Sequence, residues 1–275
     1  MSFSVNTNAG AFAALQNLNS TTNMLNKTQT QINTGLKVSS AKDNAAVFSI
    51  AQKLRGDVSG LNAVKSSLDR AMSTIDVAVA AGEAVSDLLI EMKEKAVSAK
   101  DSGLDTASRT ALNDEFEELR DQITSIVSNA EFNGTNAVES GGAAIVAITN
   151  DDGSNTITIA AQDLSLGSSN VTVATTTTID TSANASAAVA AIEASITNVN
   201  SSLSALGAGA KRLELQQSFV GKLSDTIEVG IGNLVDADLA KTSAQLQSLQ
   251  VKQQLGLQAL SIANQAPSTV LGLFR

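Results

Sequence analysis

The chain contains no cysteine and no histidine, which excludes disulfide bonds, thiolate metal sites and the side chain that most often ligates metals or acts as a general base. Serine and threonine are plentiful, but no imidazole is present to activate their hydroxyls. Paired carboxylates such as Glu117 and Glu118 are the remaining acid–base candidates, and on an amphipathic helix such pairs are usually a solvated face. The sequence therefore predicts a protein that is not an enzyme and that binds neither a metal nor a cofactor.

Aromatic residues are also scarce, at 3% of the chain, with no tryptophan and no tyrosine. Large aromatic side chains dominate the energetics of globular cores. Their scarcity favours thin seams between helices, built from leucine, isoleucine, valine and alanine. We therefore expect an elongated, mainly helical architecture.

Positive charge is missing from a long internal stretch. No lysine or arginine occurs between Asp121 and Ala210, where eight acids lie, and the net charge of the whole chain is −9. Such a surface argues against nucleic acid, which requires clustered basic residues. No run of about 18 apolar residues could span a bilayer, and the first residues lack the basic and apolar parts of a cleavable secretory signal. We expect neither membrane insertion nor a cleaved signal peptide.

An apolar repeat of three and four residues organises the chain from residue 47 to residue 99, and fourteen of its sixteen positions are apolar. A period of 3.5 residues keeps one seam on the same side of a supercoiling helix, so the pattern predicts a long helix that needs partner helices. After a turn at 101–103, a shorter seam runs over 112–126, and a third over 192–234 supplies the main partner. The sixteen positions are Val47, Ile50, Leu54, Asp57, Leu61, Val64, Leu68, Ala71, Ile75, Ala78, Gly82, Val85, Leu89, Met92, Ala96 and Ala99.

The two ends of the chain carry weaker helical patterns. The first segment is rich in serine, threonine and asparagine, which are mediocre helix formers, so we expect it to be disordered in a free monomer and helical once packed. Apolar seams that cannot form a core alone imply burial against other copies of the chain, and hence a polymer. The candidate assembly residues are Leu15, Leu18, Leu25, Ile32, Leu246, Leu249, Leu260, Leu273 and Phe274.

Two interruptions separate these ends from the long helices. Gly35 and the polar run 39–44 break the pattern near the start, and Asp43 is among the residues there that can cap the next helix. The register breaks again around Gly230 and Gly232. We predict that these four positions are joints between two coiled-coil layers.

The centre of the chain changes to strand-forming composition. Asn133-Gly134 is a strong two-residue turn signal, and alternation over 156–159 and 170–174 predicts strands. The predicted fold is an antiparallel coiled-coil bundle with nested terminal helices and a small β-rich insertion. Its predicted parts are residues 1–35 with 237–275 as an inner terminal-helix domain, 36–140 with 186–236 as a long-helix bundle, and 141–185 as the outer insertion.

Several motifs near the two ends of the chain form one recognisable set: 5–8, 32–46 and 131–134 near the start, and 236–240, 253–256, 263–267 and 270–275 near the end. Together they resemble the motifs of bacterial flagellins, and the short insertion resembles flagellins of the alphaproteobacterial type. The resemblance implies a structural subunit that polymerises into the flagellar filament, the helical propeller for swimming. The alternative is a hook–filament junction protein of the same architecture, whereas a chemoreceptor-like rod would lack the β insertion.

The resemblance also implies a location and partners. Flagellins leave the cell unfolded through the flagellar secretion system, without a cleaved signal peptide, and polymerise outside it beneath a cap. The implied partners are copies of the chain itself, the export apparatus, an export chaperone, and the cap and junction proteins. In the family the terminal helices form an inner tube, the long helices form the next shell, and the insertion faces solvent. Some flagellins carry O-linked sugars, and Thr175 to Thr178 are candidate acceptors, although strand propensity explains that composition equally well.

One further expectation concerns recognition by animals. Flagellins detected by the animal toll-like receptor carry an arginine and a leucine in the helix that matches residues 89–97. Glu91 and Lys95 stand at the corresponding positions here. Glutamate in place of the arginine reverses the charge at a contact that requires complementary charges. We therefore predict weak or absent receptor activation. Independently of any receptor, the spacing of these two residues is that of a surface ion pair on one helix.

Overall fold

The computed structural model describes residues 7–272, with side chains up to residue 265. Five helices and four short strands lie in this range, which confirms a mainly helical fold with a small β insertion. The helices are α1 (Ala9–Thr34), α2 (Ala45–Ala99), α3 (Thr106–Asn129), α4 (Ser182–Val235) and α5 (Leu239–Gly272). The strands are β1 (Glu131–Phe132), β2 (Thr135–Asn136), β3 (Ile145–Ile148) and β4 (Thr156–Ile159).

The chain forms two compact units. The terminal unit comprises residues up to Gly56 and from Thr226 onward, and the central unit comprises residues 57–225. The division into three layers that the sequence suggests is a separate claim, and it stays a prediction.

The core of the central unit follows the predicted seam of α2. From Leu61 to Ala99 every position of the repeat is buried or lies at a buried glycine. The facing helix α4 buries Leu206, Leu213 and other residues at the same spacing. A Cβ placed on Gly82 of α2 would lie 2.7 Å from Leu203 Cδ2 of α4, so the Leu203 side chain packs directly on the α2 backbone at this glycine.

Within the terminal unit, the buried side of α2 differs from the predicted one. Ile50 is 53% exposed, whereas its neighbour Ala51 is completely buried. One residue turns a helix by about 100°, whereas a 3.5-residue repeat drifts by only about 20° per heptad. The repeat still points to Ile50, and the packing within the terminal unit decides that Ala51 is buried instead. The placement of Ile50 on the inward seam was therefore wrong.

The turn predicted at Asn133-Gly134 is confirmed. Strands β1 and β2 pair antiparallel around Asn133 (φ 49°) and Gly134 (φ 79°). Positive φ at both central residues is the geometry that two-residue hairpin turns require, and asparagine followed by glycine adopts it readily.

Of the two predicted strands, the one at 156–159 is confirmed and the one at 170–174 is wrong. Residues 156–159 form β4, which pairs antiparallel with β3 in the register Ile145↔Ile159. Residues 170–174 form no strand, although Val171 and Val173 are buried as alternation requires. The backbone of this segment hydrogen-bonds elsewhere: Thr172 N donates to Ser195 Oγ of α4 at 2.9 Å. Alternating burial here reflects packing on a helix and not membership of a sheet.

The insertion is too small for much of a core of its own, and it is held against the long helices. Ile148 N donates to Ser67 Oγ of α2 at 3.2 Å, and Gln216 Nε2 of α4 donates to Thr149 O at 3.3 Å. The β3–β4 turn passes directly over Gly60, where an added Cβ would lie 2.7 Å from Asp151 O. Because that neighbour is backbone, it cannot rotate away.

We predict that Gly60→Ala lowers the free energy of unfolding of the central unit by about 1–3 kcal/mol, because the new methyl group overpacks the turn. Gly207→Ala on α4 is the matched control in the same unit, since no atom lies within 4 Å of a Cβ there. The control should raise stability by up to about 1 kcal/mol, the usual gain for replacing a helical glycine with alanine. Urea denaturation followed by circular dichroism measures both, and equal gains for the two variants would contradict the close approach at Gly60.

Candidate functional site

The two terminal helices, α1 and α5, pack against each other along their length. Near one end, Asn8 Nδ2 donates to Ala263 O at 2.6 Å while its Oδ1 accepts from Ala11 N at 3.0 Å and caps α1. Further along, a Cβ on Gly256 would lie 3.3 Å from Leu18 Cδ1. Since early residues of α1 face late residues of α5, the pair is antiparallel.

The inner face of this pair contains polar residues as well as leucines. Leu25 and Leu249 are buried, and so are Thr28 and Thr242. Each threonine hydroxyl donates to a carbonyl one turn earlier in its own helix, at 2.9 Å for Thr28 and 2.7 Å for Thr242. The hydroxyls are therefore satisfied without a bond across the seam, and methyl groups supply the contact surface.

The candidate assembly residues fall into three groups in the structure. Leu25 and Leu249 are buried, and Leu18, Ile32, Leu246 and Leu260 are half-buried. Leu15 is 42% exposed. Leu273 and Phe274 lie outside the described residues.

A second apolar stripe on α5 was missed by the sequence analysis. Val251, Leu255 and Ile262 are all more than half exposed and repeat at helical spacing on the face opposite Leu249 and Gly256. The signal for it was in the sequence, as a second three-and-four repeat in the same helix, offset from the first. A helix that is apolar on opposite faces is typical of helices with partners on both sides.

The joint between α1 and α2 lies directly against the joint between α4 and α5. Gly35 ends α1 with φ 71°, and Leu36 forms an antiparallel bridge with Asp236. Lys37 N donates to Val235 O at 2.6 Å, and Ala237 N donates to Gly35 O at 2.9 Å. Backbone hydrogen bonds thus hold the two interruptions together as one structure.

Gly230 and Gly232 lie inside α4, which continues to Val235. The interruption between α4 and α5 lies at Asp236–Asp238, a few residues after the position that the sequence pattern indicated. The Asp236 carboxylate lies over Gly232, where an added Cβ would be 2.8 Å from Asp236 Oδ2. Because glycine has no Cβ, position 232 leaves room for the Asp236 side chain, which follows the end of α4.

Asp43 fastens the segment between α1 and α2. Its Oδ2 accepts hydrogen bonds from the backbone N–H and hydroxyl groups of both Ser39 and Ser40, at 3.0–3.3 Å. Its Oδ1 lies 3.8 Å from Lys27 Nζ of α1. The hydrogen bond from the Ser39 hydroxyl, with those from the Ser39 and Ser40 amides, lowers the pKa of the Asp43 carboxyl below its usual value.

The segment that matches the receptor-contact helix contains a different ion pair from the expected one. Lys95 Nζ of α2 lies 2.5 Å from Glu115 Oε2 of α3, and among the described residues no ion pair joins Lys95 to Glu91. The hydrogen bond to Glu115 raises the pKa of the Lys95 ammonium. The expected pairing of Glu91 with Lys95 was wrong, because a carboxylate on the neighbouring helix reaches the ammonium.

Within residues 7–272 no group of three or more histidine, cysteine, aspartate or glutamate side chains is arranged to hold a metal ion. No helix among the described residues is both long and apolar enough to cross a bilayer.

Comparison with known families assigns both ends of the chain. The bacterial flagellin N-terminal helical region matches residues 5–143, and the bacterial flagellin C-terminal helical region matches residues 189–274. The chain belongs to the bacterial flagellin family. Flagellins are the structural subunits of the flagellar filament and not enzymes, and a role at the hook–filament junction is not favoured.

Its relatives place this flagellin among those of alphaproteobacteria. Flagellin FljN of Caulobacter vibrioides is 51% identical over 272 residues, which are 99% of this chain and 98% of the relative. Flagellin FljM of the same organism is 49% identical over 272 residues, again 99% and 98% of the two chains. A flagellin of Brucella melitensis is 36% identical over 281 residues, 99% of each chain.

Solved structures share the fold at low sequence identity. A Bacillus cereus flagellin superposes with a TM-score of 0.51 at 22% identity, covering 56% of this chain and 88% of that one. A putative flagellar hook-associated protein from Vibrio parahaemolyticus gives 0.59 at 14% identity, covering 70% of this chain and all of that one. Both likenesses concern architecture.

The Asp43 contacts predict a pH-dependent effect on stability. A carboxyl whose pKa is lowered by folding adds stability above its usual pKa, and this stability is lost as the pH falls through the folded pKa. Asp43→Asn should therefore lower the melting temperature of the helices at neutral pH, and the difference from wild type should shrink below about pH 4. Thermal circular dichroism across pH measures this, with Asp225→Asn, an exposed carboxylate on α4, as control. A difference that is constant with pH would refute the role assigned to the Asp43 charge.

Proposed function

We propose that this flagellin polymerises through its terminal helix pair, with the outer stripe of α5 buried against neighbouring copies. The observation that supports this is the pair of opposite apolar faces on α5, of which α1 covers only one. Each apolar side chain removed from water contributes roughly 1.5–3 kcal/mol, so three such residues repeated in every subunit give a large assembly energy. Phe12 and Met24, exposed on α1, would add to it.

We further propose the layering that the sequence suggests. Residues 1–35 with 237–275 form the inner layer, 36–140 with 186–236 form the surrounding bundle, and 141–185 form the outer surface. The joint of Gly35, Asp43 and the segment after Gly232 connects the first two layers. Burial of leucines and threonines between α1 and α5 supports an inner layer made of helix pairs.

The terminal helices in this proposal take their shape on assembly. The α1 sequence is rich in serine, threonine and asparagine, and most helical stability in proteins comes from packing. We propose that the lone subunit leaves the regions before Gly35 and after Asp236 largely unfolded. Such a chain is suited to export through the flagellar secretion system with a chaperone, and to assembly outside the cell beneath a cap.

We propose O-linked modification at the exposed end of the Thr175–Thr178 run. The Thr177 hydroxyl accepts from Ala174 N at 3.1 Å, and the Thr178 hydroxyl donates to Asp180 Oδ1 at 3.1 Å. Thr175 and Thr176 are exposed. The intact mass of filament-derived protein decides this, because an unmodified mass would remove the proposal.

The outer stripe of α5 can be tested with a matched pair of substitutions. Val251 on α5 and Val146 on β3 are each 54% exposed, so a change to aspartate removes the same apolar surface and adds the same charge. Val251→Asp should abolish filament formation, because it buries an unpaired carboxylate between copies. Val146→Asp should form filaments as wild type does, since the proposal leaves the insertion in solvent. Seeded polymerisation followed by sedimentation measures both, and normal assembly of Val251→Asp would contradict the proposal.

A separate proposal concerns recognition of this flagellin by the animal receptor, and it has its own test. We propose that Glu91 and the engaged Lys95 make this flagellin a poor ligand of the animal toll-like receptor, since reversing one charge at a complementary contact is costly. In a receptor reporter assay, its potency should be at least about tenfold below that of a flagellin carrying the arginine and leucine. The double variant Glu91→Arg with Lys95→Leu should recover part of the response. Full potency of the unaltered protein would refute the idea.

A further inference from the structure

The central unit carries an exposed stripe of acidic and apolar side chains along α2. Its members repeat at spacings of four and three residues, so they lie in one row. Ile90 and Val97 are 55% and 50% exposed, which is unusual for large apolar residues in a helix with a well-buried opposite face. The row consists of Glu83, Asp87, Ile90, Glu94 and Val97, all exposed.

The lysines nearest to this row are already engaged by other helices. Lys93 Nζ lies 2.9 Å from Glu193 of α4, and Lys95 Nζ lies 2.5 Å from Glu115 of α3. Among the described residues, none of the acids in the row takes part in an ion pair. Among the described residues, the row therefore presents carboxylates without an ion-pair partner around two apolar side chains.

A row of opposite character lies on the outward face of α4, in the same unit. Leu215 and Phe219 are 61% and 58% exposed and stand between two basic side chains. Arg212 has no ion pair among the described residues. The row consists of Ala208, Arg212, Leu215, Phe219 and Lys222, all exposed.

We infer that these two rows meet between copies of the chain, the α2 row of one copy against the α4 row of the next. The inference rests on the proposed self-assembly and names a contact in the central unit that adds to the terminal helix pair. Run antiparallel, the two rows match position by position: Glu83 meets Lys222, Ile90 meets Leu215, and Glu94 meets Arg212. Asp87 then lies beside Phe219, and Val97 lies beside Ala208.

The spacing makes this register specific. Both rows alternate intervals of three and four residues, so all five positions stay in phase, as in a coiled coil. The contact joins two different surfaces of the same chain, and a heterologous contact of this kind leaves a free surface on each new copy. Repeated head to tail, it generates an open helical polymer.

The register also predicts how far neighbouring copies are offset. Within one chain α2 and α4 face each other with Gly82 opposite Leu203 and Ile75 opposite Gly209, which would set Glu94 opposite residue 191. Between copies that point the same way, Glu94 opposite Arg212 requires a displacement of about 21 residues, or about 31 Å along the helices. A displacement of 21 residues equals three seven-residue repeats, so it keeps the repeats of neighbouring copies in phase.

Charge reversal tests the contact. Glu94→Arg and Arg212→Glu should each raise the critical concentration for seeded polymerisation at least about tenfold, because each places like charges together between copies. The double variant should return it to within about twofold of wild type, since the pair is restored with its partners exchanged. Glu118→Arg, an exposed acid on α3, is the control for altered net charge and should polymerise as wild type does.

Three results would overturn the inference: unchanged assembly of the single variants, failure of the double variant to recover, or an equal defect in the Glu118→Arg control. In each of these the wild-type protein still forms filaments, and self-assembly stands. If the wild-type chain itself does not polymerise onto seeds, the proposed function fails together with this contact. An image reconstruction of the native filament supplies a second reading, since the Glu94 carboxylate should lie within about 4 Å of the Arg212 guanidinium of a neighbouring copy.

Discussion

The structure depends on one constraint, which is that α5 is apolar on two opposite faces while the chain provides a partner for only one. Helix α1 covers the face of Leu249 and Gly256, and the face of Val251 and Leu255 remains in contact with water. Exposing a stripe of large apolar residues costs free energy that a second copy of the chain can recover. We propose that self-association follows from these exposed apolar side chains of α5.

The remaining features serve that association. The joint at Leu36 and Asp236 holds the start and the end of the helix pair in one register through backbone hydrogen bonds. The central unit has a conventional buried core, with Leu68, Leu89 and Phe116 fully enclosed. In the filament that we propose, pre-formed central units are combined with terminal helices that are completed on assembly.

Long elements could be predicted from the sequence because periodicity accumulates over many turns. The seam from Leu61 to Ala99 and the Asn133-Gly134 turn each rest on a local rule that nothing overrides. Two failures involve neighbours that are distant in sequence. Lys95 pairs with Glu115 of another helix, and Thr172, in the segment predicted to be a strand, bonds to Ser195 of α4.

Two further features could be predicted from the sequence only in part. The buried side of α2 passes through Ala51 and not Ile50, a difference of one residue that a repeat of mixed three- and four-residue steps does not fix. The outer stripe of α5 was readable as a second repeat, but the first repeat in the same helix concealed it. Which face of such a helix is covered depends on tertiary packing, and the sequence pattern alone does not specify it.

The measurement that tests this account most directly is amide hydrogen exchange of the lone subunit and of the filament, compared residue by residue. The account predicts rapid exchange over residues 9–34 and 239–265 in the lone subunit, strong protection of the same residues in the filament, and protection of 61–99 in both. Equal protection of the terminal helices in the two states would show that they are complete without a neighbour, and would contradict the claim.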